Sequence, residues 1–299
     1  MAAMPLATTI TTLILILQSI QHLVSSYTIL GGIDDDSSAS SSSEEDDSII
    51  TEVLRHFSPP RQVKLRIQTH EPTSGRVSMA GTLWEASPLL ADYITNPACP
   101  LEAFQRMRIH DDDAATANAR LQPQPSTIVE LGSGVGLSSL AAALLGCRVY
   151  ATDGSLSSVR LLNENFHRYD DSCPIAPHAS MLEWGDGSAV DSLLRNQLFE
   201  TFPDVVMASD VVYAHSAREE LSRTIRQLCP RGHIHGKVLV AHRWRADPVS
   251  EESFFQSFDA DFDREEVGLE FLPEDRYYRT RSLIDMKYPV SIFEMRRKQ

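Results

Sequence analysis

Thr127 to Gly136, TIVELGSGVG, followed by the apolar LSSLAAALL, constrains this chain more than any other stretch. Ile128, Val129 and Leu131 read as a buried strand, and Leu137 to Leu145 reads as a helix. Between them Gly132, Gly134 and Gly136 make a turn with almost no side chain. A strand, a glycine-rich turn and a helix N-terminus together form a cradle that a ligand can approach at backbone distance. Dinucleotide-binding turns run G-x-G-x-x-G. This one runs G-x-G-x-G, with Glu130 two residues before the first glycine. A fixed carboxylate there repels a pyrophosphate and suits a cationic ligand.

The elements around this turn follow a regular order. Arg148–Thr152, a strand within Pro177–Trp184, Asp204–Ala208 and Lys237–Ala241 read as further strands. Leu156–Tyr169, Val190–Leu198, Ser216–Leu228 and Glu251–Phe262 read as the helices that alternate with them. Such alternation is the signature of a parallel sheet with helices on both faces. Val267–Phe271 and Val290–Met295 are strand-like runs with no helix between them. Five βα units closed by a C-terminal β-hairpin make a Rossmann-like α/β sheet of seven strands over 127–299.

The N-terminal part is less regular. Residues 1–30 hold a short apolar helix around TTLILILQSIQHLV, too short for a membrane span and interrupted by Gln18, Ser19, Gln21 and His22. A targeting role is the alternative, although no basic segment precedes it. Residues 31–48, including DDDSSASSSSEEDD, bury nothing and read as a disordered acidic linker. Residues 49–126 contain a hairpin from Val63–Thr69 into Val77–Leu83, a helix over Trp84–Ile94, and a polar loop insertion over Ala114–Ser126.

Charge and cysteine usage narrow the function. Of the net charge of −14, eight negative charges lie in the first 54 residues, which leaves −6 on the rest. No basic face for sequence-independent nucleic-acid binding is expected. Cys99, Cys147, Cys173 and Cys229 lie far apart, with no C-x-x-C pair and no histidine at metal spacing. That usage fits a reducing compartment, cytoplasmic or also nuclear, and no structural metal.

In an open α/β sheet ligands bind at the carboxyl ends of the strands, and several polar or aromatic residues fall there. The turn reads as one for S-adenosylmethionine, a sulfonium; a glycine-rich turn with no ligand is the plain alternative. Asp153 ends the second core strand, where a carboxylate accepts from both ribose hydroxyls or, alternatively, caps the next helix. Trp184, in LEWGD, lies along an adenine or is a core tryptophan; Glu183 and Asp186 are close by. After the fourth core strand, Ser209-Asp210-Val211-Val212-Tyr213 places a carboxylate and a phenol on one side if the chain enters a helical turn. Methylation of an amine needs a deprotonated nucleophile, and a free lysine with pKa about 10.4 is almost wholly protonated at neutral pH. Asp210 can orient the nitrogen, and Tyr213 can offer its hydroxyl or ring face. Helix capping is the alternative for Asp210. DVVY lacks the two prolines of the NPPY loop of nucleic-acid amino-methylating enzymes.

VELGSGVG, Asp153, LEWG and SDVVY, preceded by LWEASPLLADYI, together resemble the seven-strand methyltransferases of family 16, including the methyltransferase-like 21 group of protein-lysine methyltransferases. The resemblance covers roughly Arg61 to Arg296. It implies S-adenosylmethionine as cofactor, held by Trp84, Gly132, Ser133, Gly134, Asp153, Trp184 and Ser209; Glu130 and Gly136, in the same turn, are read as cofactor-binding as well. Ser209 stands where the family often has alanine. It implies Asp210 and Tyr213 at the substrate amine. It further implies a protein partner, a chaperone or translation factor among the family's substrates. A monomer is expected. Methylation of a small molecule or of protein histidine, and a non-catalytic cofactor-binding regulator, are the alternatives. A nicotinamide-dependent dehydrogenase is the competitor from another class.

Overall fold

The computed structural model describes residues 47–57, 61–70, 81–105, 124–198, 201–233, 235–245, 247–272 and 289–299, all within one compact unit, Glu45–Gln299. The apolar helix expected over 1–30, the acidic linker up to residue 46 and nearly all of the polar insertion lie outside the described residues.

Two strands come first, β1 (Asp47–Phe57) and β2 (Arg61–His70), antiparallel from Asp47↔His70 to Phe57↔Arg61. Among the described residues β2 thus pairs with the segment before it. Most of Val77–Leu83, the expected mate, lies outside the described residues, and its last three residues are turn and irregular chain. β1 also begins at Asp47, two residues inside the expected linker. Antiparallel pairing uses backbone groups, so the acidic side chain there does not prevent it. α1 (Ala86–Thr95) is buried along its whole length, and α2 (Glu102–Gln105) is a single turn.

The core then runs β3 (Thr127–Leu131), α3 (Leu137–Leu144), β4 (Arg148–Asp153), α4 (Leu156–His167), β5 (His178–Met181), α5 (Gly187–Asn196) and β6 (Val205–Ser209). It continues with α6 (Arg218–Leu228), β7 (Lys237–Arg243), α7 (Pro248–Gln256), β8 (Phe262–Glu266) and β9 (Val290–Arg297). The sheet order is β5-β4-β3-β6-β7-β9-β8, with β3 to β7 parallel and β9 antiparallel to both β7 and β8. The expected closing hairpin is present, but its first strand is Phe262–Glu266 rather than Val267–Phe271, whose last three residues form a 3₁₀ turn. β8 is an edge strand, and Asp263, Glu265 and Glu266 are exposed, so it shows no apolar run.

Side-chain alternation along each central strand divides the core in two. Ile128, Val205, Met207, Leu239 and Ala241 face α1, α3 and α4, while Val129, Leu131, Val206, Ala208, Val238 and Val240 face α5, α6 and α7. Both faces are covered, which is why these strands read as continuous apolar runs. From β3 the chain moves outward through β4 and β5, then returns to the other side of β3 with β6. Strand order reverses there, and the crevice beyond the carboxyl ends of β3, β4 and β6 is where such sheets bind ligands. Among the described residues no helix is long and apolar enough to cross a membrane.

Candidate active site

The turn after β3 is built from positive φ angles, 67° at Gly132, 53° at Gly134 and 85° at Gly136. A Cβ on Gly132 would lie 2.9 Å from Val211 Cγ1 and 3.0 Å from Trp184 Cζ2, so the indole rests directly on bare backbone. Gly136 answers a different need. A Cβ there would lie 2.6 Å from Leu162 Cδ2 and 2.9 Å from Phe166 Cε1, so close packing of α4 requires the glycine. Ser133 faces inward and ties the two strand ends together. Its backbone N–H donates to Thr152 O at 2.9 Å, and its Oγ accepts from the Thr152 N–H at 3.1 Å.

Glu130 is fully buried behind this turn. The Ser139 hydroxyl on α3 donates to its Oε2, and Oε1 has no hydrogen-bond partner in the structure. Burial pushes its carboxyl up to about 7, and hydrogen bonding by Ser139 opposes the rise.

Asp153 ends β4 and joins the turn to the next helix. Its Oδ2 accepts from the Gly134 N–H at 3.1 Å and its Oδ1 from the Ser155 N–H at 3.0 Å. The N-cap of α4 is Ser155 itself, so Asp153 lies just outside the helix. Each carboxylate oxygen retains a lone pair for a hydroxyl donor. Trp184, half-buried beyond β5, also packs on the apolar cluster beneath α5 to α7. Asp186 is committed to capping α5, accepting from the N–H groups of Ser188 and Ala189 at 3.0 Å each.

The end of β6 forms the opposite wall. Asp210 has φ 59° and ψ 28°, the one non-glycine residue with positive φ among the described residues. That conformation costs about 1–2 kcal/mol. Its carboxylate is 1% exposed and makes no cap bond to the following 3₁₀ turn, Val211–Tyr213. Instead Oδ1 accepts from Arg245 Nη2 at 2.9 Å and from the Arg243 N–H at 3.3 Å, while Oδ2 is buried without a hydrogen-bond partner. A buried oxygen left in that state is costly and calls for a donor. Tyr213, one 3₁₀ turn later, is 46% exposed and lies on the same side.

These walls enclose a cavity of about 610 Å³, a size suited to a small-molecule ligand. Of the residues expected at the site, Trp84, Gly132, Gly134, Asp153, Trp184, Ser209, Asp210 and Tyr213 line it. Glu130, Ser133 and Gly136 do not; they stand behind the turn and hold its shape. Glu183 and Arg245 also line the cavity. Arg245 has no motif around it, and only the fold brings it to Asp210. A side-chain-free floor at Gly132, an indole wall, a hydroxyl acceptor at Asp153 and an acidic far wall fit an adenosyl group with vicinal hydroxyls and an attached cationic sulfur.

Residues 61–261 match the family model described as lysine methyltransferase. Protein-lysine methyltransferase METTL21E of Mus musculus is 36% identical over 147 residues, 47% of this chain and 54% of that protein. EEF1A lysine methyltransferase 3 of Mus musculus is 24% identical over 181 residues, 60% of this chain and 62% of that protein. The chain spans about half the length of the curated relatives it matches. A solved TehB-like SAM-dependent methyltransferase from Corynebacterium glutamicum aligns with 59% of this chain and 82% of its own, at 13% identity and a TM-score of 0.39.

Proposed function

The chain belongs to the lysine methyltransferase family, and on that premise we propose that it transfers a methyl group from S-adenosylmethionine to a lysine ε-amine of a partner protein. The observation that carries this reading is Asp210, a strained, buried carboxylate at the cavity wall with one oxygen, Oδ2, unpartnered. An incoming nitrogen has N–H groups to donate there, and its lone pair is then directed by the bond it makes.

When bound, the cofactor supplies an electrophilic methyl carbon whose bond to sulfur breaks with both electrons going to sulfur. Gly132 and Trp184 would set the depth of its pocket, and the Asp153 carboxylate would accept from its ribose hydroxyls. Asp210 orients the amine for in-line attack, and Tyr213 flanks the entrance with its ring and hydroxyl. The proton lost by nitrogen passes to solvent at the mouth, where Tyr213 is exposed.

The acceptor we propose is a folded protein of the chaperone or translation machinery, in keeping with a relative named for EEF1A. Cys99, Cys147, Cys173 and Cys229 are buried and not joined in disulfides, which supports a reducing, cytoplasmic setting. Incubation with labelled S-adenosylmethionine and a cell lysate should label discrete protein bands, and Asp210→Ala should abolish them. Label confined to the small-molecule fraction would refute a protein acceptor.

A further inference from the structure

The buried carboxylate that faces the acceptor is not alone. Arg245 Nη2 donates to Asp210 Oδ1 at 2.9 Å, and the guanidinium lines the same cavity, 30% exposed. Its backbone is fixed from behind, the Arg245 N–H donating to Glu251 Oε2 at 2.9 Å, and its Nη1 donates to Arg243 O at 3.1 Å. Glu251 is itself buried and lies 3.1 Å from His242 Nε2. Desolvation holds that imidazole below its usual range, which keeps it neutral, so it brings no second cation. Arg245 is therefore held on three sides and presents its charge to Asp210.

We propose that Arg245 is a positioning residue for the acceptor half of the site. It occupies Oδ1 so that Oδ2 alone receives the substrate nitrogen, and its cationic charge favours the neutral amine over the ammonium. The inference rests on the lysine-methylation reading above. A lone carboxylate beside lysine stabilises the ammonium, the form that cannot attack. Pairing that carboxylate with a guanidinium cancels most of this effect while leaving one oxygen to aim the nitrogen. The other charged groups near the pair or lining the same cavity are Arg243, which is bound to Glu85, Glu251 behind Arg245, and Asp153 and Glu183. Among the described residues Arg245 supplies the cationic side chain that is seen bonded to Asp210.

The test uses the full chain with tritiated S-adenosylmethionine and a cell lysate as acceptor, from pH 6.5 to 9.5, for wild type, Arg245→Met and Arg245→Lys. Calorimetric binding of S-adenosylmethionine and thermal melting are read beside it. Arg245→Met should bind cofactor within about threefold of wild type but label about tenfold more slowly at pH 7, with its acidic limb moved up by about one pH unit. Raising the pH to 9 should restore most of the loss. Arg245→Lys keeps the charge and loses the fork, so its limb should stay near the wild-type position even though its rate falls. An Arg245→Met profile that superimposes on wild type overturns the proposal, as does an Arg245→Lys limb displaced as far as that of Met. If Arg245→Met does not fold, the position of the Arg245→Lys limb alone decides. Absence of labelling by the wild-type chain overturns the functional reading and this inference together.

Discussion

The Gly134 N–H donates to Asp153 Oδ2 at 3.1 Å, so the glycine turn after β3 and the acid that ends β4 are one structural unit. The carboxylate holds the turn in its observed shape, and in the proposed site it also offers the cofactor an acceptor. Asp153→Ala removes both at once. Two charge-assisted hydrogen bonds to ribose are together worth about 3 kcal/mol, so affinity for S-adenosylmethionine should fall about 100-fold by calorimetry. An unchanged affinity would place the ribose elsewhere.

Gly132 and Gly136 share a motif but carry different loads. Gly132→Ala pushes a methyl into Trp184 at a positive φ, and should weaken S-adenosylmethionine binding at least tenfold. Gly136→Ala pushes one into Leu162 and Phe166, away from the cavity. Strain and overpacking there should cost about 2–3 kcal/mol in stability, with affinity per folded molecule unchanged. Denaturant melts and calorimetry on both variants separate the two effects; equal loss of binding in both would refute the division.

Glu130 makes stability depend on pH. Its carboxyl is raised to about 7 in the fold from about 4.5 unfolded, so its favourable contribution is complete below pH 4.5 and is lost as pH rises through 7. The full loss is about 3 kcal/mol. Glu130→Gln keeps an acceptor for Ser139 and should remove this slope, so that the variant gains on wild type above pH 7. Chemical denaturation at pH 5 and pH 8 measures the difference. A variant less stable than wild type at pH 8 would contradict the account.

The central sheet was legible because parallel strands covered on both faces are apolar throughout: VVMAS and KVLVA cannot easily be read otherwise. β8 was not, because FDREE is an exposed edge strand and its polar residues hide the period. β1 was masked at its start by an acid run that antiparallel pairing tolerates. At the site, the residues that line the cavity from turns at strand ends could be read from spacing. Glu130 and Gly136 sit in the same motif yet serve packing behind it, which spacing alone does not separate. Arg245 left no local trace, since its partner lies 35 residues earlier and β7 alone brings them together.

The account stands most directly on the identity of the methylated atom. Lysate proteins labelled by the wild-type chain with isotopic S-adenosylmethionine should carry the new methyl on lysine ε-nitrogen by tandem mass spectrometry. Asp210→Ala, which removes the oxygen that aims the nitrogen, should bind the cofactor normally and deposit at least 100-fold less label at those lysines. Label on histidine, or an Asp210→Ala variant as active as wild type, would contradict it.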